Sequence, residues 1–209
     1  MTRQLTSGAR LQGKVAIVTG IFLSYNLWRG MHIANDEPGG GSGFGAAIAR
    51  RFGEEGAKVI ITDINVEGGQ KVAAQNPESL VFQQMDVTKA DDWTAVMDLA
   101  FSKFGRLDIL VNNAGITYRN KATKGLAAEY GPHNIRVNTV SPLLSGTGLF
   151  SMFTGMPDTP ENREKFIGNV PLGRLTDPDD VANMCLYLAS DEGSFINGAE
   201  MIVDGGKCI

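Results

Sequence analysis

The chain has 209 residues, of which 43% are hydrophobic, 20% are charged and 26 are glycine, with a net charge of −4. This length is typical of one domain with a substantial core, and the glycines lack the three-residue period of collagen. A pI near 5.2 argues against nucleic acid as a partner. The apolar runs are far shorter than the roughly 20 residues of a membrane span, and two cysteines are too few for a disulfide framework. We therefore expect a cytoplasmic protein with no membrane partner.

Short apolar segments alternate with segments of helical period along the chain. Strands are predicted at 15–18, 59–62, 81–85, 109–112, 136–140 and 200–203, and helices at 45–55, 66–75, 90–104, 122–130 and 178–188. Near-continuous apolar strands indicate a parallel sheet buried on both faces. This order predicts an α/β fold with a doubly wound, Rossmann-like parallel sheet in a single domain over 1–209, with its core in 11–209. Residues 21–39 follow neither period and are interpreted as an irregular insert.

A glycine-rich run stands between the first strand and the first helix. The strand ends at Thr19-Gly20, and residues 40–45 (GGSGFG) open the helix. Glycines here permit a tight turn and bring backbone N–H groups close to a pyrophosphate at the helix N-terminus. A flexible linker is the alternative for this run taken alone. No Gly-Lys-Ser/Thr follows, which disfavours a mononucleotide P-loop.

An acidic residue ends the second strand. Asp63 follows Gly43 by 20 residues, where a carboxylate accepts hydrogen bonds from an adenosine ribose and repels a 2′-phosphate. Asp63 alone could equally be a surface cap. In its strand–glycine–helix–strand context it predicts a dinucleotide cofactor, with NAD favoured and NADP possible.

Several motifs together point to one family. They are residues 13–20 (GKVAIVTG), 86–87 (DV), 112–115 (NNAG), 134–138 (NIRVN), 177–178 (DP) and 203–206 (VDGG). With them the chain resembles the short-chain dehydrogenase/reductase family, over about 170 of its 209 residues. The resemblance implies an oxidoreductase that moves hydride between NAD(P) and the carbon of a small-molecule alcohol or ketone, usually as a homo-oligomer.

The resemblance also implies a role for each matching residue. Gly20, Ser42, Gly43, Phe44 and Gly45 would line the pyrophosphate, Asp63 the adenosine ribose, Asp86 and Val87 the adenine, and Thr147 the nicotinamide carboxamide. Asn113, Ala114 and Gly115 would lie against the cofactor, and Ile64 and Pro142 are also expected in the cofactor site. Leu143 stands where the family usually has glycine. Residues 143–157 resemble an apolar substrate lid.

The catalytic residues of the family have no match in this sequence. The chemistry of the family needs a Tyr followed four residues later by a Lys, because the ammonium lowers the pKa of the phenol, and a Ser about a dozen residues earlier. None of the four tyrosines has a lysine at that spacing; Tyr118 precedes Lys121 by three residues, and Lys124 has Asn120 at the tyrosine position. We therefore predict no catalytic residue, and no metal ligand either, since His32 and His133 lack partners at metal-ligand spacing.

The sequence departs from the family at two places, and the second, a missing segment, accounts for the loss of the catalytic residues. Residues 21–39 separate Gly20 from Gly40, and about 65 residues are missing near 120–122, including a central strand and a helix, which removes a ladder of hydrogen bonds from the sheet. A splice variant or a misjoined gene model would explain both departures. The expectation is an enzyme family member that is itself inactive. The alternatives are a non-catalytic remnant that binds cofactor or joins an oligomer, and a product that does not fold.

Overall fold

A computed structural model describes residues 9–20, 43–113, 121–146 and 149–208, without the side chains of residues 121, 149, 152 and 153. Six expectations lie on residues outside this description: the insert 21–39, Ser42, Ala114, Gly115, Tyr118 and Thr147. The chain divides into two compact units, Met1–Gly115 and Ile116–Ile209.

The first unit is a four-stranded parallel sheet with helices between its strands. Its strands are β1 (Val15–Thr19), β2 (Lys58–Asp63), β3 (Leu80–Gln84) and β4 (Ile109–Val111), in the order β3-β2-β1-β4. Its helices are α1 (Phe44–Glu54), α2 (Val66–Ala73) and α3 (Ala90–Phe104). Because strand order turns back at β1, the chain crosses over the sheet in the doubly wound manner that the sequence predicts.

In the described part of the second unit, two parallel strands accompany four α-helices. The strands are β5 (Thr139–Pro142) and β6 (Glu200–Val203), and the helices are α4 (Lys121–Tyr130), α5 (Leu149–Thr154), α6 (Pro160–Ile167) and α7 (Pro178–Ala189). Helix α7 begins as the sequence indicates, with Asp177 and Asp180 forming a capping box and Pro178 in the first turn.

The burial of the strands in the core of the first unit explains why the sequence predicts them. All five residues of β1 are buried, and in β2 only Lys58 is exposed. Ile17, Ile60 and Met85 pack with Val96 and Ala100 of α3. A strand buried on both faces reads as a continuous apolar run, so the parallel α/β sheet is confirmed here.

Two features of the second unit differ from the sequence expectation. The strand predicted at 136–140 begins at Thr139, because Arg136 donates to the carbonyl of Leu188 (2.6 Å) and the Val137 N–H donates to the Asn197 side chain (2.9 Å). These contacts hold the segment before β5 in a loop. Residues 149–167, for which no helix was predicted, form α5 and α6.

Candidate cofactor-binding site

The carboxyl ends of the four strands of the first unit meet at one edge of its sheet. The Gly20 N–H donates to the carbonyl of Thr62 (2.9 Å), and the Met85 N–H donates to the carbonyl of Asp63 (3.1 Å). The Asn113 N–H donates to Oγ1 of Thr19 (3.2 Å). The structure therefore brings Gly20, Asp63 and Asn113 to one edge, where open α/β sheets bind ligands.

The turn after β1 depends on glycine. Gly20 has a φ of +65°, in the left-handed region that costs other residues energy. The side-chain amide of Asn113 donates to the carbonyl of Gly20, which ties this turn to the end of β4. The backbone leaving β1 is thus fixed in direction where the predicted pyrophosphate contact begins.

Helix α1 begins at this edge without a side-chain cap. Its N-cap residue is Gly43, and its first turn holds no acidic residue. The first N–H groups of a helix have no partner within the helix, and the helix dipole gives them a partial positive charge. Phe44 and Gly45 therefore form a helix start suited to an anion, as the sequence predicts for a pyrophosphate.

Asp63 is buried at the end of β2, with 4% of its surface exposed. Its Oδ1 accepts from the backbone N–H of Asn65 (2.8 Å), and Asn65 in turn caps α2 by accepting from Gly68 (3.0 Å). Ile64 lies between them and is half-buried. This pair of turns orients the carboxylate, so Asp63 is not a surface cap but a residue held in place by its own loop.

The end of β3 places Asp86 and Val87 in a second fixed loop. The Asp86 carboxylate accepts from the N–H (3.0 Å) and the hydroxyl (2.7 Å) of Thr88, and these bonds lower the pKa of the carboxyl. The indole N–H of Trp93 donates to the carbonyl of Val87 (3.0 Å), and Val87 is 37% exposed. An open valine beside an ionised carboxylate offers one apolar and one polar contact to a base.

The second unit contains Pro142, at the end of β5, and Lys124, on α4. Leu143, which replaces the usual glycine, donates its N–H to the carbonyl of Val203 (3.0 Å). Lys124, which the sequence shows with Asn120 at the tyrosine position, is exposed on α4. Among the residues that the structure describes, no group of three His, Cys, Asp or Glu side chains could hold a metal ion.

Sequence reasoning missed the residues that support this edge. Thr19 and Asn113 are 94 positions apart, and no local sequence pattern predicts the hydrogen bond between them. Asn65 carried a signal in the sequence, because asparagine is a preferred N-cap residue and it directly precedes the helix predicted at 66–75. In the described part of the chain, every helix is too short or too polar to cross a membrane.

Comparison with known proteins decides the family. Residues 38–124 match the model described as short chain dehydrogenase, and residues 118–207 match the one described as Enoyl-(Acyl carrier protein) reductase. The chain is 35% identical to 4-formylbenzenesulfonate dehydrogenase TsaC1/TsaC2 of Comamonas testosteroni over 241 aligned residues, which cover 82% of this chain and 96% of that protein. The chain belongs to the short-chain dehydrogenase/reductase family.

Further members of this family are similar along nearly the whole chain. One is a 3-alpha-(or 20-beta)-hydroxysteroid dehydrogenase of Mycobacterium bovis, 31% identical and covering 94% of this chain and 90% of its own length. Among solved structures, 3-ketoacyl-(acyl-carrier-protein) reductase from Brucella melitensis, complexed with NADH, is 28% identical with a TM-score of 0.78 and covers 95% of this chain and 100% of its own. The doubly wound α/β fold is thereby confirmed.

Proposed function

We propose that this chain binds NAD(H) at the β-strand edge of its first unit and does not catalyse hydride transfer. The observation that supports cofactor binding best is the buried Asp63 carboxylate, held in one orientation by Asn65 at the edge that also carries Gly20. A carboxylate so placed accepts hydrogen bonds from the two ribose hydroxyls of an adenosine. The NADH complex of the similar reductase is in line with this choice.

The same carboxylate favours NAD over NADP. A 2′-phosphate on the ribose would bring a second negative charge next to Asp63, and like charges in a partly buried site repel strongly. When bound, the cofactor would supply the hydride chemistry. In this chain Asp63 would orient the ribose, Gly20 and Gly43 would admit the pyrophosphate, and Val87 would contact the adenine.

The proposed loss of catalysis rests on the sequence around the junction near 120–122. No tyrosine is followed four residues later by lysine. The 241-residue alignment is longer than the chain itself; since 82% of 209 residues is about 171, about 70 aligned positions of the dehydrogenase have no counterpart here. This length agrees with the loss of about 65 residues expected from the family's pattern of strands.

We propose that the two units are parts of one dinucleotide-binding domain, 1–209, interrupted by that loss. An intact version of the protein would oxidise an alcohol or reduce a ketone. A splice variant or a misjoined gene model explains the 19 extra residues of 21–39 and the missing segment together. The coding sequence tests the splice-variant explanation. If residues 21–39 come from a retained intron, the coding sequence must carry splice signals at Gly20 and at Pro38-Gly39, and their absence would contradict that explanation.

A second candidate function is a non-catalytic subunit that joins an oligomer of the intact protein. Ile202 of strand β6 is 56% exposed, and Leu172, in the segment before helix α7, is 71% exposed. Large apolar side chains exposed on one surface often mark an interface. In this case the chain would elute in size-exclusion chromatography together with an intact relative.

Thermal unfolding with and without NADH separates these possibilities. A cooperative melt that NADH shifts upward supports a folded cofactor-binding chain, because a ligand that binds only the native state stabilises it. A cooperative melt that NADH does not move favours the oligomer-joining subunit. The absence of a cooperative transition in circular dichroism would identify a chain that does not fold and would contradict both proposals.

A further inference from the structure

Asn197 joins helix α4 to the loop before β5 within the second unit. Its Oδ1 accepts from the N–H of Val137 (2.9 Å), and its Nδ2 donates to the carbonyl of Ala127 on α4 (2.9 Å). The N–H of the next residue, Gly198, donates to the carbonyl of Val137 (2.9 Å). We call these three hydrogen bonds the Asn197 clasp. Both ends of one side-chain amide hold the helix and the loop together.

The clasp requires glycine at position 198. Gly198 has a φ of +73°, and a Cβ added to it would lie 3.3 Å from Cβ of Ala127, whose side chain is buried. A side chain here would be strained by the backbone conformation and would press against α4. The fold therefore places the dipeptide Asn-Gly at the contact between α4 and the loop before β5.

An Asn-Gly dipeptide has a chemistry of its own, the deamidation of asparagine. Glycine has no Cβ to hinder its backbone nitrogen. That nitrogen gives its proton to hydroxide and attacks Cγ of Asn197, while Nδ2 takes a proton from water and leaves as ammonia. A second water opens the resulting succinimide at either carbonyl, which yields aspartate or isoaspartate. In sum, an amide and water become a carboxylate and ammonium.

The closed clasp opposes this reaction at both reacting groups. The nitrogen of Gly198 keeps its proton in the hydrogen bond to Val137, and the amide of Asn197 is fixed by two partners. Attack therefore requires that the clasp open first. When opening and closing are fast, the rate in the folded chain is the rate in the open chain multiplied by the open fraction.

We propose that Asn197 is a site of spontaneous deamidation, and that its loss permanently releases α4 from the loop before β5. No other asparagine in the 209 residues precedes a glycine, so the chemistry is confined to this position. The inference is independent of the proposed cofactor binding, because every residue of the clasp lies in the second unit.

The release is permanent because neither product can rebuild the clasp. Aspartate at position 197 is ionised at neutral pH and has no proton to donate to the carbonyl of Ala127. Its oxygen would face another acceptor, which leaves that carbonyl without its partner. Isoaspartate lengthens the backbone and displaces Gly198 from the carbonyl of Val137. Each opening that leads to reaction is therefore not reversed.

Asn138 is a matched control in the same region. Its Nδ2 donates to the carbonyl of Ile196 (2.9 Å), and its Oδ1 accepts from the N–H of Ala199 (3.0 Å), so this amide is also held at both ends. Thr139 follows it, and the branched Cβ of threonine hinders the attacking nitrogen. Asn138 should therefore keep its amide under conditions in which Asn197 loses it.

The first test incubates the full chain at mildly alkaline pH, in native buffer and in denaturant. Peptide mapping by mass spectrometry measures the amide remaining at Asn197 and Asn138 and separates aspartate from isoaspartate. We expect loss at Asn197 in both solutions, slower in native buffer by more than about threefold and less than about a hundredfold. These ratios correspond to a local opening of about 0.7–2.7 kcal/mol. Asn138 should lose its amide more slowly than Asn197 in both solutions.

The second test uses Asn197→Asp, which imitates one product without the chemistry. Hydrogen exchange followed by mass spectrometry should show the amides of α4 exchanging about tenfold faster, with β1 and β2 unchanged. Asn162→Asp is the control variant. Asn162 also donates its side-chain amide to a backbone carbonyl, that of Pro157 (2.9 Å), but on α6, so exchange in α4 should not change.

Three results would overturn the inference. The first is loss at Asn197 in native buffer within about threefold of the rate in denaturant, which would show that the clasp does not control the reaction. The second is an amide at Asn197 that persists in native buffer beyond about a hundred half-lives of the reaction in denaturant. The third is exchange in α4 that Asn197→Asp leaves unchanged, or that Asn162→Asp accelerates equally.

Discussion

Replacement of Asp63 by asparagine tests the cofactor site most specifically. The amide of Asp63→Asn keeps an oxygen that can accept from the N–H of Asn65, so the turn after β2 and the cap of α2 should persist. The variant loses the negative charge and the second acceptor oxygen. We therefore expect a folded protein with an altered preference among nicotinamide cofactors.

The expected magnitude follows from the burial of the carboxylate, which is 4% exposed. A hydrogen bond to a charged group contributes about 1.5–3 kcal/mol and one between neutral groups about 1, so replacing two charged bonds by two neutral ones should cost about 2 kcal/mol, or about thirtyfold in NADH affinity. For NADPH the change has the opposite sign, because unit charges about 5 Å apart repel by about 3 kcal/mol at an effective dielectric constant of 20.

Fluorescence titration of the unaltered chain and the variant with NADH and NADPH measures both changes. Asp98→Asn is the charge-matched control, since Asp98 lies exposed on α3. The ratio of NADH to NADPH affinity should fall at least thirtyfold in Asp63→Asn and stay constant in Asp98→Asn. A ratio that Asp63→Asn changes by less than about twofold, in a variant with a normal melt, would refute the assignment of Asp63 to the ribose.

Two further predictions concern packing and thiol chemistry. Gly69→Ala should lower the free energy of unfolding by about 1–3 kcal/mol, because the added Cβ would overlap the ring of Phe82. Its control, Gly125→Ala, has open space around it on α4 and should raise the free energy of unfolding by about 0.5–1 kcal/mol. Thermal melts measure both changes, and equal effects would contradict the packing described. Burial raises the pKa of Cys185 to about 12, whereas Cys208 is exposed. Iodoacetamide should therefore label one cysteine in the native chain and two in denaturant, as counted by mass spectrometry. Rapid labelling of Cys185 in the native chain would show that its thiol is not buried.

The sequence was most informative where local chemistry and burial coincide. The strand predicted at 15–18 is β1, because every residue of Val15–Thr19 is buried on both faces and an apolar run is its direct consequence. The position of Asp63 at the end of β2 was predicted in the same way, whereas its contact with a ribose stays a prediction. In both cases neighbouring residues in the chain carry the information.

The remaining features depend on partners distant in the chain. Nothing around Arg136 indicates that its guanidinium binds the carbonyl of Leu188, 52 positions away, and so delays the start of β5. The contact of Thr19 with Asn113 and the approach of Arg163 to Gly146 are of the same kind. Contacts between side chains and backbone groups that are distant in the chain are set by tertiary packing and leave no periodic pattern in the sequence.

The most direct test of the central claim is calorimetric titration of the full chain with NADH, followed by a turnover assay on the same sample with a panel of alcohols and ketones. We predict saturable binding at one site per chain and no change in nicotinamide absorbance when substrates are added. The same titration with Asp63→Asn should show the weaker binding worked out above. Turnover at rates ordinary for dehydrogenases would contradict the loss of catalysis, and the absence of any NADH binding to a folded chain would contradict the cofactor site.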